Sequence, residues 1–173
     1  MIRAATVEDI RPIVDMVRAY YVEGVNKFGF PLHWSEQKVV IYIGNLLWRQ
    51  DTGLNFIASG GQGVILGEVG ETWFGDNKIA RPAFLYVKPE ERNGLIARAL
   101  LRRFEKRAAA LGALMVVWDF DTGVTDGRLL GGLMKALKYE ITGPICRKVF
   151  EVNYATNSSV HPAHHSGGRA VAQ

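Results

Sequence analysis

A chain of 173 residues, 48% hydrophobic and 22% charged, is long enough for one globular domain with a substantial core, and its net charge of +4 is mild. The basic residues concentrate on one segment (Arg98, Arg102, Arg103, Lys106, Arg107), where a solvated helix face accounts for them and nucleic-acid binding is not expected. The single cysteine, Cys146, excludes an internal disulfide, no apolar run reaches membrane-spanning length, and no basic-then-apolar leader opens the chain, so a cytoplasmic protein without membrane contact is expected.

The segment 2–10 predicts a short strand and then a capped helix: Thr6 can accept from first-turn amides, and Asp9 stands three residues on in an S/T-x-x-D pattern. Ile10, Ile13, Val14 and Val17 recur at helical spacing, and this helix is expected to end near Glu23-Gly24. A loop of aromatic and turn residues, 26–34, precedes Ser35, the natural N-cap of a second helix with Val39, Val40, Ile43, Leu46 and Leu47 as its apolar face. Asp51-Thr52-Gly53 marks its end. Strands are expected over 54–59, 63–69 and 80–87, joined by a hairpin connection at Gly60-Gly61-Gln62 and a loop at Gly75-Asp76-Asn77.

A helix over about 94–111 places Ile96, Leu100, Phe104, Ala108 and Leu111 on one face, and 113–120 reads as a buried strand. A weaker helix follows over 125–137, weakened by Gly127, Gly131 and Gly132. Segments 139–142 and 145–152 form a closing hairpin through Gly143-Pro144. The order β-α-α-β-β-β-α-β-α-β-β gives an α/β or α+β class with a mixed sheet, one domain over 1–152, and a flexible tail over 153–173. His161, His164 and His165 lie in that tail without nearby cysteines or carboxylates, so no metal site is expected.

The richest motif is the apolar strand Ala83-Phe84-Leu85-Tyr86-Val87 running through Lys88-Pro89-Glu90-Glu91-Arg92-Asn93-Gly94 into a long amphipathic helix. Such a turn leaves amides at the helix N-terminus without intrahelical partners and adds the positive end of the helix dipole, which suits an anion. Arg92 can add a charge-assisted contact. Arg92-Asn93-Gly94-Leu95-Ile96-Ala97 resembles the pyrophosphate loop of the GNAT N-acetyltransferase superfamily, Q/R-x-x-G-x-G/A, at its first and last positions. Leu95 stands where the family has its central glycine, and Gly94 lies one residue early.

The resemblance implies a largely antiparallel central sheet with helices on both faces and acetyl-CoA as co-substrate. The main chain of Leu85, Tyr86 and Val87 would hold pantetheine and thioester, and Arg92, Asn93, Gly94, Leu95, Ile96 and Ala97 would hold the pyrophosphate. It also implies a carboxylate on the neighbouring strand as base for an acceptor amine, which points to Glu68 and Glu71; an exposed strand glutamate is the plainer reading of each. Asp119 and Asp121 can also reach the cleft, or equally cap the turn that follows them. The family's tyrosine acid falls at Met134 and its asparagine at Gly127, while Tyr139 and Cys146 read as packing residues. Leu95 in place of glycine and Met134 in place of tyrosine also admit a noncatalytic GNAT-fold module, with Leu95 filling the pyrophosphate pocket and protein partners or self-association as its business. The chain is similar in its overall look to small GNAT-like proteins of tailed bacteriophages, which implies host cytoplasm or virion as its place.

Overall fold

The computed structural model describes residues 1–28, 33–118 and 127–140, leaving out the side chains of 25–28 and 127–130; all belong to one unit, Met1–Gly143. Strand β1 (Ile2–Ala4) leads through a 3-10 turn, Val7–Asp9, into α1 (Ile10–Phe28), and α2 is Glu36–Trp48. Strands β2 (Phe56–Ala58), β3 (Gly63–Thr72) and β4 (Gly75–Val87) follow, then α3 (Leu95–Ala110) and α4 (Gly127–Ala136). The four strands form one antiparallel sheet in the order β1-β2-β3-β4.

Helices cover both faces, as expected for this mixed class. On one face α1 and α2 bury Ile13, Val14, Ile43, Leu46 and Leu47 against Ile57, Val64, Leu66 and Tyr86. On the other, α3 and α4 bury Leu100, Leu101, Phe104, Ala108 and Met134 against Leu54, Phe56, Ile65, Val69 and Val87. Side chains alternate across a strand, so β3 can feed both clusters from one run of apolar residues. Each fully buried Leu or Phe of α3 stabilises the fold by about 1.5–3 kcal/mol through apolar burial.

The caps form where the sequence places them. Asp9 accepts from the Thr6 amide at 2.9 Å, and Ser35 Oγ accepts from the Lys38 amide at 3.5 Å. α1 runs through Gly24 to Phe28 instead of stopping there: a single glycine costs only about 1 kcal/mol, which the docking of Glu23 described below offsets. On α2, Val40 is exposed while Ile43, Leu46 and Leu47 are buried.

Two other expectations are corrected. The β3–β4 connection is a two-residue turn at Trp73-Phe74, closed by Thr72 Oγ1 donating to the Gly75 carbonyl at 3.0 Å, so Gly75, Asp76 and Asn77 belong to β4. Both aromatics project into solvent, with Trp73 92% exposed. Residues 113–118 are not a buried strand: they meet β4 through one parallel bridge, Ala80 with Val116, and Leu114, Met115 and Val117 are exposed. An apolar run reads as buried only while both faces find cover. The expected strands 139–142 and 145–152, the tail, Cys146, Asp119 and Asp121 lie outside the described residues, save for Tyr139 and Glu140, which are in no strand.

Candidate functional site

Strand β4 is the spine of the site. Its β3 partner follows it in register from Val87 opposite Gly63 to Phe84 opposite Leu66, and the ladder then skips, with Pro82 opposite Gly67. Ala83 is thus the extra residue of a β-bulge, a feature that bends a strand and increases its twist. Gly67 makes the bulge possible, because a Cβ there would lie 2.5 Å from the Arg81 carbonyl oxygen and 2.8 Å from Phe104. Its amide, 3.3 Å from Asn55 Oδ1, donates to that side chain, and Asn55 Nδ2 donates to the Leu46 carbonyl at 2.8 Å, fastening the bulge to α2.

The far edge of β4 pairs only near its beginning. Leu114 donates to Lys78, Ala80 to Met115 and Val117 to Ala80, each at 2.9 Å, and no ladder partner follows from Arg81 to Val87 among the described residues. Apart from the Val87 carbonyl, which Arg92 takes, alternate backbone N–H and C=O groups of this stretch therefore line an edge without a ladder partner among the described residues, which a polar chain such as an amide-containing arm can pair with. Leu85, Tyr86 and Val87 lie along it. Leu85 and Val87 turn their side chains to the α3 cluster, and Tyr86, 3% exposed, turns to the α1 and α2 cluster.

At the end of that edge the chain makes a 3-10 turn, Pro89–Glu91, and enters α3. Gly94, the N-cap of α3, sits at φ +85°, the left-handed region that favours glycine. The glycine one residue early is thus the one whose conformation the loop uses. Asn93 Oδ1 accepts from the Leu95 amide at 3.0 Å, while the amides of Gly94, Ile96 and Ala97 have no protein partner among the described residues. Those amides and the helix dipole give this end of α3 a partial positive charge. Leu95 does not plug it: its side chain is 70% exposed, against the expectation that it fills a pocket. Ile96 and Ala97 pack their side chains on the α3 cluster, leaving only their main chain for a ligand.

Arg92 is already engaged. Its Nη2 donates to both carboxylate oxygens of Glu23, at 3.0 and 2.8 Å, its Nε donates to the Val87 carbonyl at 2.8 Å, and its guanidinium lies 5.2 Å from the centroid of the Tyr86 ring. Tyr86 Oη donates to the same Glu23 at 2.5 Å. Burial first, and the bond to Glu23 second, push the Tyr86 phenol above its ordinary value of 10.0, so it stays a neutral donor. Glu23 is the residue sequence reasoning missed; it sits on a helix 63 and 69 residues from its two partners, and nothing local marks it.

The two candidate bases separate. Three residues apart on one strand, Glu68 and Glu71 point to opposite faces of the sheet and cannot share a proton. Glu68 accepts from Arg49 Nη1 at 2.7 Å and lies near Tyr42, whose phenol is pushed up by burial and then by the Glu68 charge. Glu71 is exposed, opposite Lys78 near the hairpin end. From Gly63, at the loop end of the ladder, Glu68 lies about 17 Å up β3 at 3.3 Å per residue. Met134, at the position of the family's acid, is 2% exposed in the core, and Tyr139 donates to Glu105 at 2.7 Å while packing on the same cluster.

A separate cleft of about 420 Å³ opens on the α1 side of the same sheet end, lined by Asp15, Met16, Ala19, Gly60, Tyr86 and Lys88 among others; of the expected site residues only Tyr86 reaches it. Among the described residues there is no cluster of His, Cys, Asp and Glu able to hold a metal ion, and no helix long and apolar enough to cross a membrane.

No family model matches the sequence, and no curated protein matches it. Solved structures do. An integron cassette protein, HFX_CASS3, from the mobile metagenome of Cole Harbour Salt Marsh superposes with a TM-score of 0.66 at 17% identity, covering 88% of this chain and 91% of that one. A predicted acetyltransferase with acetyl-CoA from Clostridium acetobutylicum gives 0.63 at 16% identity, over 88% and 95%. The aminoglycoside 6'-N-acetyltransferase AAC(6')-Ig from Acinetobacter haemolyticus gives 0.62 at 14% identity, over 88% and 99%. The chain has the fold of the GNAT acetyltransferases.

Proposed function

We propose that this protein is a GNAT-type N-acetyltransferase that moves an acetyl group from acetyl-CoA to an amine by direct attack. The observation that carries this reading is the continuity of the β4 edge, Arg81 to Val87, which has no ladder partner among the described residues and of which Arg92 takes the Val87 carbonyl, with the amides of Gly94, Ile96 and Ala97, which likewise have no protein partner among the described residues. One surface thus offers strand-like pairing for an amide-bearing arm and, at its end, the electropositive helix N-terminus for phosphate. Acetyl-CoA carries both features and supplies the acyl group as an activated thioester. The likeness to a structure solved with acetyl-CoA adds weight.

In this reading the main chain of Leu85, Tyr86 and Val87 aligns the arm and the loop 92–97 holds the pyrophosphate. Glu68 receives the proton that the acceptor ammonium must lose before its nitrogen lone pair attacks the thioester carbon. The C–S bond then breaks as the tetrahedral intermediate collapses, and the proton that the attacking nitrogen must still shed passes to the leaving thiolate, because no tyrosine stands at position 134 to supply one. Aminoglycoside acetyltransferases among the structural neighbours make amine acceptors the class to screen first.

Calorimetric titration with acetyl-CoA, with desulfo-CoA and ADP as controls, tests this. Micromolar binding supports a transferase and directs an amine screen; no binding at millimolar ligand overturns it.

A second reading rests on specific contacts. Arg92 is held by Glu23, Glu68 by Arg49, and Met134 replaces an acid with a core residue. These favour a noncatalytic GNAT-fold structural or binding protein, for instance a bacteriophage virion component. Absence of acetyl-CoA binding together with concentration-dependent self-association in light scattering would decide for it.

A further inference from the structure

The charges around the loop sum in an instructive way. Lys88 and Arg92 are balanced within the loop by Glu90 and Glu91, and Glu91 accepts a hydrogen bond from Gln62 at 2.9 Å. Glu23, arriving from α1, makes the group net negative. Its carboxylate takes one bond from the Tyr86 hydroxyl and two from Arg92, and the Glu23 and Arg92 side chains are 28% and 29% exposed. A charge-assisted pair of this kind, half withdrawn from water, is stronger than a surface ion pair.

We propose that Glu23 is a resident anion that competes with bound pyrophosphate for Arg92, so that the loop takes a polyanion by exchanging this carboxylate for it. The inference rests on the acyl-CoA reading for its natural ligand, but the competition belongs to the three side chains themselves. Both oxygens of Glu23 converge on Arg92 Nη2 while the Val87 carbonyl holds Nε, so a phosphate group that seats on Nη2 must displace the carboxylate. Tyr86 strengthens the resident: its hydroxyl steadies Glu23 while its ring supports the guanidinium from beneath. Glu23 thereby works as a specificity-determining residue. It rejects singly charged anions, which cannot outbid a preorganised carboxylate, and admits a diphosphate that also engages the α3 amides. When the exchange occurs, α1 loses its polar tie to Arg92, so occupancy of the loop is communicated to the helix covering the opposite face.

The test uses the full chain and inorganic pyrophosphate as probe, titrated calorimetrically into the wild type, Glu23→Gln, and the double variant Glu23→Gln/Arg92→Ala. Glu23→Gln is expected to bind pyrophosphate at least about tenfold more tightly than the wild type, the order of gain that about 1.4 kcal/mol represents. The double variant is expected to lose that gain. Should Glu23→Gln not fold, Glu23→Ser removes the same charge and carries the same expectation. Equal affinity in wild type and charge-removed variant, including no binding by either, overturns the proposal, as does a double variant that keeps the gain. Acetyl-CoA titrated into the same proteins separates the two readings: a pyrophosphate gain without any acetyl-CoA binding leaves the competition standing and removes the transferase.

Discussion

The sheet's two faces are built from different chemistry. The α3 and α4 face is closed almost wholly by hydrocarbon, around Phe104, Leu100 and Leu101, with Tyr139 and Glu105 bonded beside it. The α1 and α2 face has an equally apolar centre but carries polar fastenings at three places: Asp9 with Arg3, Asn55 between Leu46 and Gly67, and Glu23 with Tyr86 and Arg92. Apolar packing is non-directional and supplies stability; buried hydrogen bonds fix geometry and are costly to leave half-made. Both apolar centres therefore hold the molecule together, the α3 and α4 face with almost nothing else, while the polar fastenings of the α1 and α2 face set where the bulge and the loop point.

The sharpest way to break this division is Phe104→Ala. It removes a fully buried ring from the hydrocarbon face and should cost about 3–5 kcal/mol in urea unfolding; a loss below 1 kcal/mol would mean that this face does not bear the load. Asn55→Ala comes next on the opposite face. Stripping the partners of the Gly67 amide and the Leu46 carbonyl should cost about 1–3 kcal/mol, and amide exchange at Gly67 should quicken more than at Leu100.

Smaller still, Gly94→Ala should cost about 1 kcal/mol. Its Cβ would meet nothing within 4 Å, so only the positive φ resists, and thermal unfolding reads the difference. Glu68→Gln breaks an exposed pair and should move stability by less than about 1 kcal/mol, while lowering turnover of any amine acceptor found; unchanged turnover would remove Glu68 as base. A last signature appears only in acid. The bonded Arg3 guanidinium holds the Asp9 carboxyl below its ordinary 3.8, so the stability Asp9 adds is complete above that value and is lost as pH falls through the lower folded-state value. Asp9→Asn should flatten that part of the acid-unfolding curve, and an unchanged curve would show that the pair carries no linkage.

Local chemistry made much of the fold readable. Thr6 with Asp9 and Ser35 announce two helix starts because a cap acts within one turn, and the apolar spacing of Leu100, Phe104 and Ala108 announces the buried side of α3. The turn at Trp73-Phe74 escaped because propensity favours Gly75-Asp76-Asn77, whereas the long β3–β4 ladder pulls the reversal two residues earlier. Apolarity alone also misplaced Leu114 and Met115, which find no covering layer among the described residues. In the site, the main-chain roles of Leu85 to Val87 and of the loop could be located from the strand-turn-helix pattern. Glu23 could not, since its partners are brought to it only by the docking of α1 across the sheet.

Gly67 has a mechanical consequence. The bare backbone at that point lets Phe104 settle against the bulge, and this contact acts as the fulcrum of α3. Leu95 stands nine residues away along the axis, a lever arm of about 14 Å at 1.5 Å per residue. A methyl group added at the fulcrum would lift the rod there and swing its tip, so the aim of the loop amides is set by a residue on another strand that no ligand would ever touch.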